Sequence, residues 1–164
     1  MESIALGVDI GGVILDAYDN GKDPDFFLND FLKVTAVDGS FDALKRLVCE
    51  KFDRRVYLVS KCTEQVEKNL WQWFGHRHFF AHSFVRPDHI FFCRAPEEKA
   101  AICARQRLTH FIDDRLSVLA HLEAVPNLSL FRHRPEENKG FEHFLPRVAI
   151  VNSWAEVLSL LLAT

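Results

Sequence analysis

The sequence predicts an α/β protein: a mainly parallel sheet with helices on both faces, three layers in one domain spanning residues 1–164. Two observations carry this expectation. Short apolar runs alternate with longer stretches whose apolar residues recur every three or four positions, the alternation of strand and helix expected of βαβ units. The short runs are apolar throughout, as strands buried on both faces require. A third observation gives the sheet a functional end. Three runs finish on Asp9, Ser60 and the pair Asp113–Asp114, and in open parallel sheets ligands bind outside the carboxyl ends of the strands.

The elements follow in order. "SIALGVDI" reads as a buried strand. "SFDALKRLVCEKF" places Phe41, Leu44, Leu47, Val48 and Phe52 at helical spacing, with Ser40 as the expected N-cap. "RRVYLVS" is a strand ending at Ser60. "TEQVEKNLWQWF" is an amphipathic helix capped by Thr63, with Val66, Leu70 and Trp73 on one face. "HIFFC" is a third strand, and "APEEKAAICARQR" is a helix with Pro96 in its first turn. "LTHFIDD" is a strand ending in two acids, followed by the helix "DRLSVLAHLEAV". "LSLFRH" and "RVAIVNSW" supply two more strands, and "SWAEVLSLLLA" a closing helix with Ser153 as its N-cap. No internal repeat or low-complexity tract interrupts the pattern.

Composition narrows the function. A chain of 164 residues suits one domain that buries roughly 70% of its unfolded surface. The net charge of −3 gives no electrostatic reason to expect nucleic acid as a partner. The apolar runs are too short to span a bilayer, and "MESIALGVDI" lacks the pattern of a signal peptide. A cytoplasmic protein is expected. Its cysteines, Cys49, Cys62, Cys93 and Cys103, lack C-x-x-C spacing and read as buried, reduced thiols. His76, His78 and His82 in "GHRHFFAH" have no carboxylate or thiol at ligand spacing, so a polar surface loop is expected there rather than a metal site.

The strand ends carry the chemistry. "VDIGGVILD" contains Asp9, Gly11, Gly12, Val13 and Asp16; "VYLVSK" ends in Ser60 and Lys61; "APEEKAAICA" contains Lys99; "HFIDDR" contains Asp113, Asp114 and Arg115. An Asp at a strand end is usually a turn or cap residue, but three such ends in one sheet point to a shared site. These four motifs, in this order and on these elements, resemble the haloacid dehalogenase (HAD) superfamily over nearly the whole chain. The resemblance implies a Rossmann-like fold and a Mg²⁺-dependent phosphomonoesterase working through an aspartyl-phosphate.

By that resemblance Asp9 is the nucleophile and a metal ligand. Asp113 and Asp114 are metal ligands, Asp114 directly or by orienting a metal-bound water, and the Gly11 carbonyl is a further ligand. Ser60 bonds a phosphate oxygen. Lys99, in preference to its rival Lys61, balances charge on the phosphoryl group. Asp16 has a supporting role and Arg115 is a local salt-bridge partner. The glycines are expected to let the backbone approach phosphate closely. The chain departs from the family at Gly11, where phosphatases carry the acid that protonates the leaving alkoxide. Loss of general acid help costs about 10²- to 10⁴-fold, so weak activity is expected. An aryl phosphate is affected least, and a histidine of "GHRHFFAH" is one candidate substitute.

Only a short flap, residues 17–38, separates the first motif from the next helix, and the segment from Trp73 to His89 is also short. A capless member is therefore expected, with an open site suited to a large phosphorylated substrate or to a protein partner. The rival expectation is a non-catalytic HAD-like domain that binds a phosphorylated ligand or a protein, for which an exposed Trp71 or Phe79 would provide a surface. Dehalogenation at carbon, which needs an enclosed apolar pocket, is the third class and the least supported.

Overall fold

A computed structural model describes residues 3–16 and 29–163. Six parallel strands form one sheet: β1 (Leu6–Val8), β2 (Val56–Lys61), β3 (Ile90–Cys93), β4 (His110–Asp113), β5 (Asn127–Phe131) and β6 (Val148–Val151). Their order is β3-β2-β1-β4-β5-β6. The chain thus winds outward from β1 in one direction, then returns to its other side. The reversal lies between β1 and β4, which opens a crevice at their carboxyl ends.

Among the described residues the α-helices are α1 (Ser40–Leu47), α2 (Glu64–His76), α3 (Phe79–Ser83), α4 (Pro96–Arg105), α5 (Leu116–His121) and α6 (Trp154–Leu162). Strand alternation sorts the core into two layers. Leu6, Val8, Leu58 and Ile112 pack with Leu44, Trp73, Phe74 and Trp154 on one face. Tyr57, Val59, Phe111 and Leu130 pack with Ile102, Leu116 and Leu119 on the other. This period-two division is what strands covered on both sides produce.

Most element ends match the sequence signals. Thr63 accepts from the Val66 N–H, and Ser153 from the Glu156 N–H, each closing an N-terminal orphan donor. Pro96 occupies the first turn of α4. Three expectations change. The cap of α1 is Gly39, at φ 77°, and Ser40 is the first helical residue. The helix then widens into a π-type turn over Val48–Phe52, and Cys49 is exposed rather than buried. The histidine-rich stretch is not a loop: His76 ends α2, and His82 lies in α3.

The first strand leads into a tight turn. Carbonyl Ile10 accepts from the N–H groups of Val13, Ile14 and Leu15, and Gly12 N–H donates to Leu15 O at 2.8 Å. Gly12 sits at φ 81° and needs to be glycine. Two indoles pin this region. Trp154 Nε1 donates to Val13 O at 2.8 Å, and Trp73 Nε1 donates to Val34 O at 2.9 Å. Of the expected flap, residues 17–28 lie outside the described residues. Its later part returns to the turn, where Thr35 O accepts from Asp16 N–H and Ile14 O from Val37 N–H. Among the described residues no helix is long and apolar enough to cross a membrane.

Gly7 lets β1 run beneath the Phe111 ring. A Cβ there would fall 2.4 Å from Phe111 Cδ2 and 2.6 Å from Leu108 Cδ1. Gly7→Ala is expected to destabilise the protein by about 1–3 kcal/mol through overpacking. Urea unfolding should show a lower midpoint at unchanged m-value.

Candidate active site

Register explains how residues far apart in sequence meet. Val8 pairs with Ile112 across β1 and β4, and Asp9 N–H donates to Ile112 O at 2.9 Å. One residue further along, the Asp9 and Asp113 carboxylates emerge side by side at the crevice. From α4, which opens immediately above β3, Lys99 reaches between them. Its Nζ lies 2.9 Å from Asp113 Oδ2 and 3.2 Å from Asp9 Oδ1. The Lys99 side chain is 3% exposed and that of Asp113 1%, while Asp9 keeps 13% toward the cleft. The other Asp113 oxygen accepts from the Arg115 N–H at 2.9 Å, which fixes the carboxylate from both ends.

Asp114 completes an acidic trio. One carboxylate oxygen each from Asp9, Asp113 and Asp114 lies within 4.8 Å of the others. Hard oxygen donors at this spacing fit a divalent cation such as Mg²⁺. The charge balance also fits: among the described residues the half-buried Asp9 and the buried Asp113 and Asp114 face the Lys99 ammonium, with Arg134 Nη1 at 3.7 Å from Asp114 Oδ2. Burial and the neighbouring Asp113 charge push the Asp9 carboxyl up to about 6, against the pull of Lys99. Burial, then the Asp9 and Asp113 charges, pushes Asp114 well above the usual carboxylate range. For Lys99 burial acts downward, but the two carboxylates outweigh it and raise its pKa. Added positive charge would relieve all three acids at once.

The site opens into a cleft of about 500 Å³, lined by Asp9, Gly11, Ser60, Lys61, Lys99 and Asp113 among others. Ser60 is buried near the end of β2, one strand over from Asp9. Lys61 also lines the cleft but is exposed, whereas Lys99 makes the two ion pairs. The Cys62 thiol lies at the same wall, and burial pushes it up to about 11, which makes it a poor nucleophile.

Gly12 carries the positive φ that calls for glycine, whereas Gly11 has no left-handed backbone angle, and a Cβ built on it meets no atom of the described residues within 4 Å.

Three partners escape a reading by motif. Asp114 is paired by Arg134, from the segment after β5, while Arg115 is exposed and contributes its backbone N–H to Asp113. Asp16 is held by Arg132 at 3.7 Å. His121, at the end of α5, lines the cleft, whereas His76, His78 and His82 are exposed on α2 and around α3. Trp71 is partly exposed but packs against Phe74, Phe80 and Phe92, and Phe79 is fully buried.

This architecture is shared with solved structures. A dehalogenase with an intermediate complex superimposes with TM-score 0.66 at 12% identity, covering 98% of each chain. The D,D-heptose 1,7-bisphosphate phosphatase of Burkholderia thailandensis gives TM-score 0.63 at 14% identity, over 98% of this chain and 99% of the other. A HAD family hydrolase of Deinococcus radiodurans R1, with bound phosphate and sodium, gives 0.64 at 13%, over 97% and 95%. The fold is therefore HAD-like, a single α/β domain around a parallel six-stranded sheet. No family model matches the sequence, and no curated protein matches it either.

The raised Asp9 pKa has a measurable consequence in metal-free protein. A folded-state value above the unfolded one means that ionising Asp9 opposes folding. The penalty is absent below about pH 4, grows as pH rises, and is complete above about pH 6. Asp9→Asn should therefore gain stability relative to wild type as pH rises through this window, by on the order of 1–3 kcal/mol. Denaturant unfolding in chelator at pH 4 and pH 7 measures the gap, and saturating Mg²⁺ should narrow it.

Proposed function

We propose that this protein is a Mg²⁺-dependent, HAD-like phosphomonoesterase of the capless type, acting through an aspartyl-phosphate. The observation that carries this reading is the meeting of Asp9, Asp113, Asp114 and Lys99 at one point, with Ser60 on the same cleft. Two of the structural neighbours are named as a phosphatase and as a hydrolase with bound phosphate, which supports a phosphorylated substrate.

Asp9, Asp113 and Asp114, with the Gly11 carbonyl, would hold the cation. When bound, Mg²⁺ supplies charge neutralisation for a phosphate approaching a carboxylate. Asp9, the most exposed of the acids, attacks phosphorus, and the P–O bond to the leaving alcohol breaks. Lys99 stays protonated between Asp9 and Asp113, aims the nucleophile and offsets charge on the transferring group. Ser60 donates its hydroxyl to a phosphate oxygen. Water then attacks the aspartyl-phosphate, releasing inorganic phosphate and regenerating Asp9.

Gly11 offers no proton to the departing oxygen, so turnover falls steeply as the leaving alcohol becomes more basic. Dehalogenation at carbon needs no cation and leaves the buried acids without a task. The convergence of Lys99 with the acids likewise favours catalysis over a purely binding domain, since a buried ammonium on the nucleophile adds little to ligand capture.

Hydrolysis of an aryl phosphate with Mg²⁺ titration tests the assignment. Asp9→Asn should reduce turnover to background, Ser60→Ala should lower it about 10²-fold, and chelator should abolish it. Because a Cβ at position 11 meets no described residue within 4 Å, Gly11→Asp should raise alkyl phosphate turnover by about 10²-fold or more. Undiminished activity in Asp9→Asn would overturn the nucleophile assignment.

A further inference from the structure

None of the four site motifs includes residues 132–138, the segment that follows β5, yet three of its side chains reach the strand ends that carry the site. Arg132 opens the segment with a left-handed backbone, at φ 54°, and its N–H donates to Val151 O on β6 at 2.8 Å. That bond fixes the direction in which the chain leaves the sheet. The Arg132 side chain turns to the first motif, with Nη1 at 3.7 Å from Asp16 Oδ1. The Arg134 carbonyl accepts from the N–H groups of Glu137 and Asn138, which closes a turn and brings the buried Asn138 to the acidic loop after β4.

Consecutive residues of that loop are held. Arg134 Nη1 stands 3.7 Å from Asp114 Oδ2, and Glu137 Oε2 lies 3.8 Å from the same nitrogen. The Arg115 N–H donates to Asp113 Oδ1 at 2.9 Å. The Leu116 N–H donates to Asn138 Oδ1 at 3.2 Å. Leu116 opens α5, and Arg115 before it gives no side-chain cap. Asn138 therefore supplies, from 22 residues away, an acceptor that a helix start needs. Its amide has one orientation, because the Leu116 N–H must meet oxygen, and Nδ2 then donates to His133 Nδ1 at 2.9 Å. The backbone on the C-terminal side of Asp114 is thus fixed, and its buried carboxylate faces a guanidinium.

We propose that Arg134 and Asn138 are positioning residues for the cation site. Arg134 aims the Asp114 carboxylate at the point it shares with Asp9 and Asp113, and Asn138 holds the loop from which that carboxylate projects. An acid on an untethered loop would be ordered only as the cation bound, at a cost in affinity. Here the ordering precedes binding, as it does where partners behind a ligand fix its direction. The role rests on the cation reading of the acidic trio and adds how the third acid is held. A merely structural contact would change the stability of the fold and leave cation affinity of the folded protein as it was.

Calorimetry of metal-free protein with Mg²⁺ alone separates the two. Wild type should bind. Arg134→Met, which keeps an unbranched stem at a partly exposed position, should bind about tenfold more weakly or worse, the loss typical when a partner behind a metal ligand is removed. Arg134→Lys, which restores a cation, should recover part of the difference. Asn138→Ala should also bind more weakly. Circular dichroism and urea unfolding establish that each variant is folded under the assay conditions, and Arg134→Met decides the outcome if the buried Asn138→Ala fails to fold. The Mg²⁺ concentration for half-maximal aryl phosphate hydrolysis should rise by the same factor as the dissociation constant. Folded Arg134→Met binding Mg²⁺ as tightly as wild type, or more tightly, overturns the positioning role while Asp9-dependent turnover upholds the phosphatase reading. Absence of Mg²⁺ binding by wild type overturns the cation reading and the positioning role with it.

Discussion

The site depends on one ammonium group placed between two carboxylates. Lys99 bridges Asp9 and Asp113 across the two central strands, at 3.2 Å and 2.9 Å. Burying three acids together is costly unless positive charge accompanies them. Lys99 supplies part of it and Arg134 another part, and burial still holds the Asp9 and Asp114 carboxyls above the usual carboxylate range. The apolar layers on each side of the sheet keep this balance out of bulk water, where it would count for far less. Geometry and electrostatics are thus the same fact here: β1 and β4 are neighbours, so their terminal acids must be neutralised together.

A second requirement is to hold the turn after β1 without filling the cleft. Its apolar residues Ile10, Val13, Ile14 and Leu15 enter the core. Hydrogen bonds from distant indoles add to that packing. Trp154 and Trp73 both belong to the apolar layer that carries α1, and each uses its one N–H to hold a carbonyl near the first motif. Arg77 adds a second donor to Val34 O at 2.6 Å. Core packing and site geometry therefore share residues.

Much of the fold was legible because its signals are local. Thr63, Pro96 and Ser153 mark helix starts by their own chemistry, and apolar runs such as "VYLVS" mark strands by composition. Asp9 and Asp113 were legible because a parallel sheet brings strand ends to one edge, and Lys99 because it opens a helix one element before the acidic pair, as in the family it resembles. Arg134, Arg132 and His121 were not, since their relation to Asp114, Asp16 and the cleft is set by strand order and helix packing rather than by spacing. Cys49 was misplaced because it was read by residue type, whereas it lies off the face that buries Val48 and Phe52. Which glycine of the pair carries the positive φ, Gly12, was not legible, since a dipeptide of glycines does not reveal it.

The bond from Trp154 to Val13 joins positions 141 residues apart. The turn after β1 is therefore secured only when α6 has packed against the sheet, and Asp9 meets Asp113 only when β4 has been laid beside β1. Domains fold as units, and here the local geometry of one short turn is a property of the completed sheet, which no isolated segment around Asp9 would reproduce.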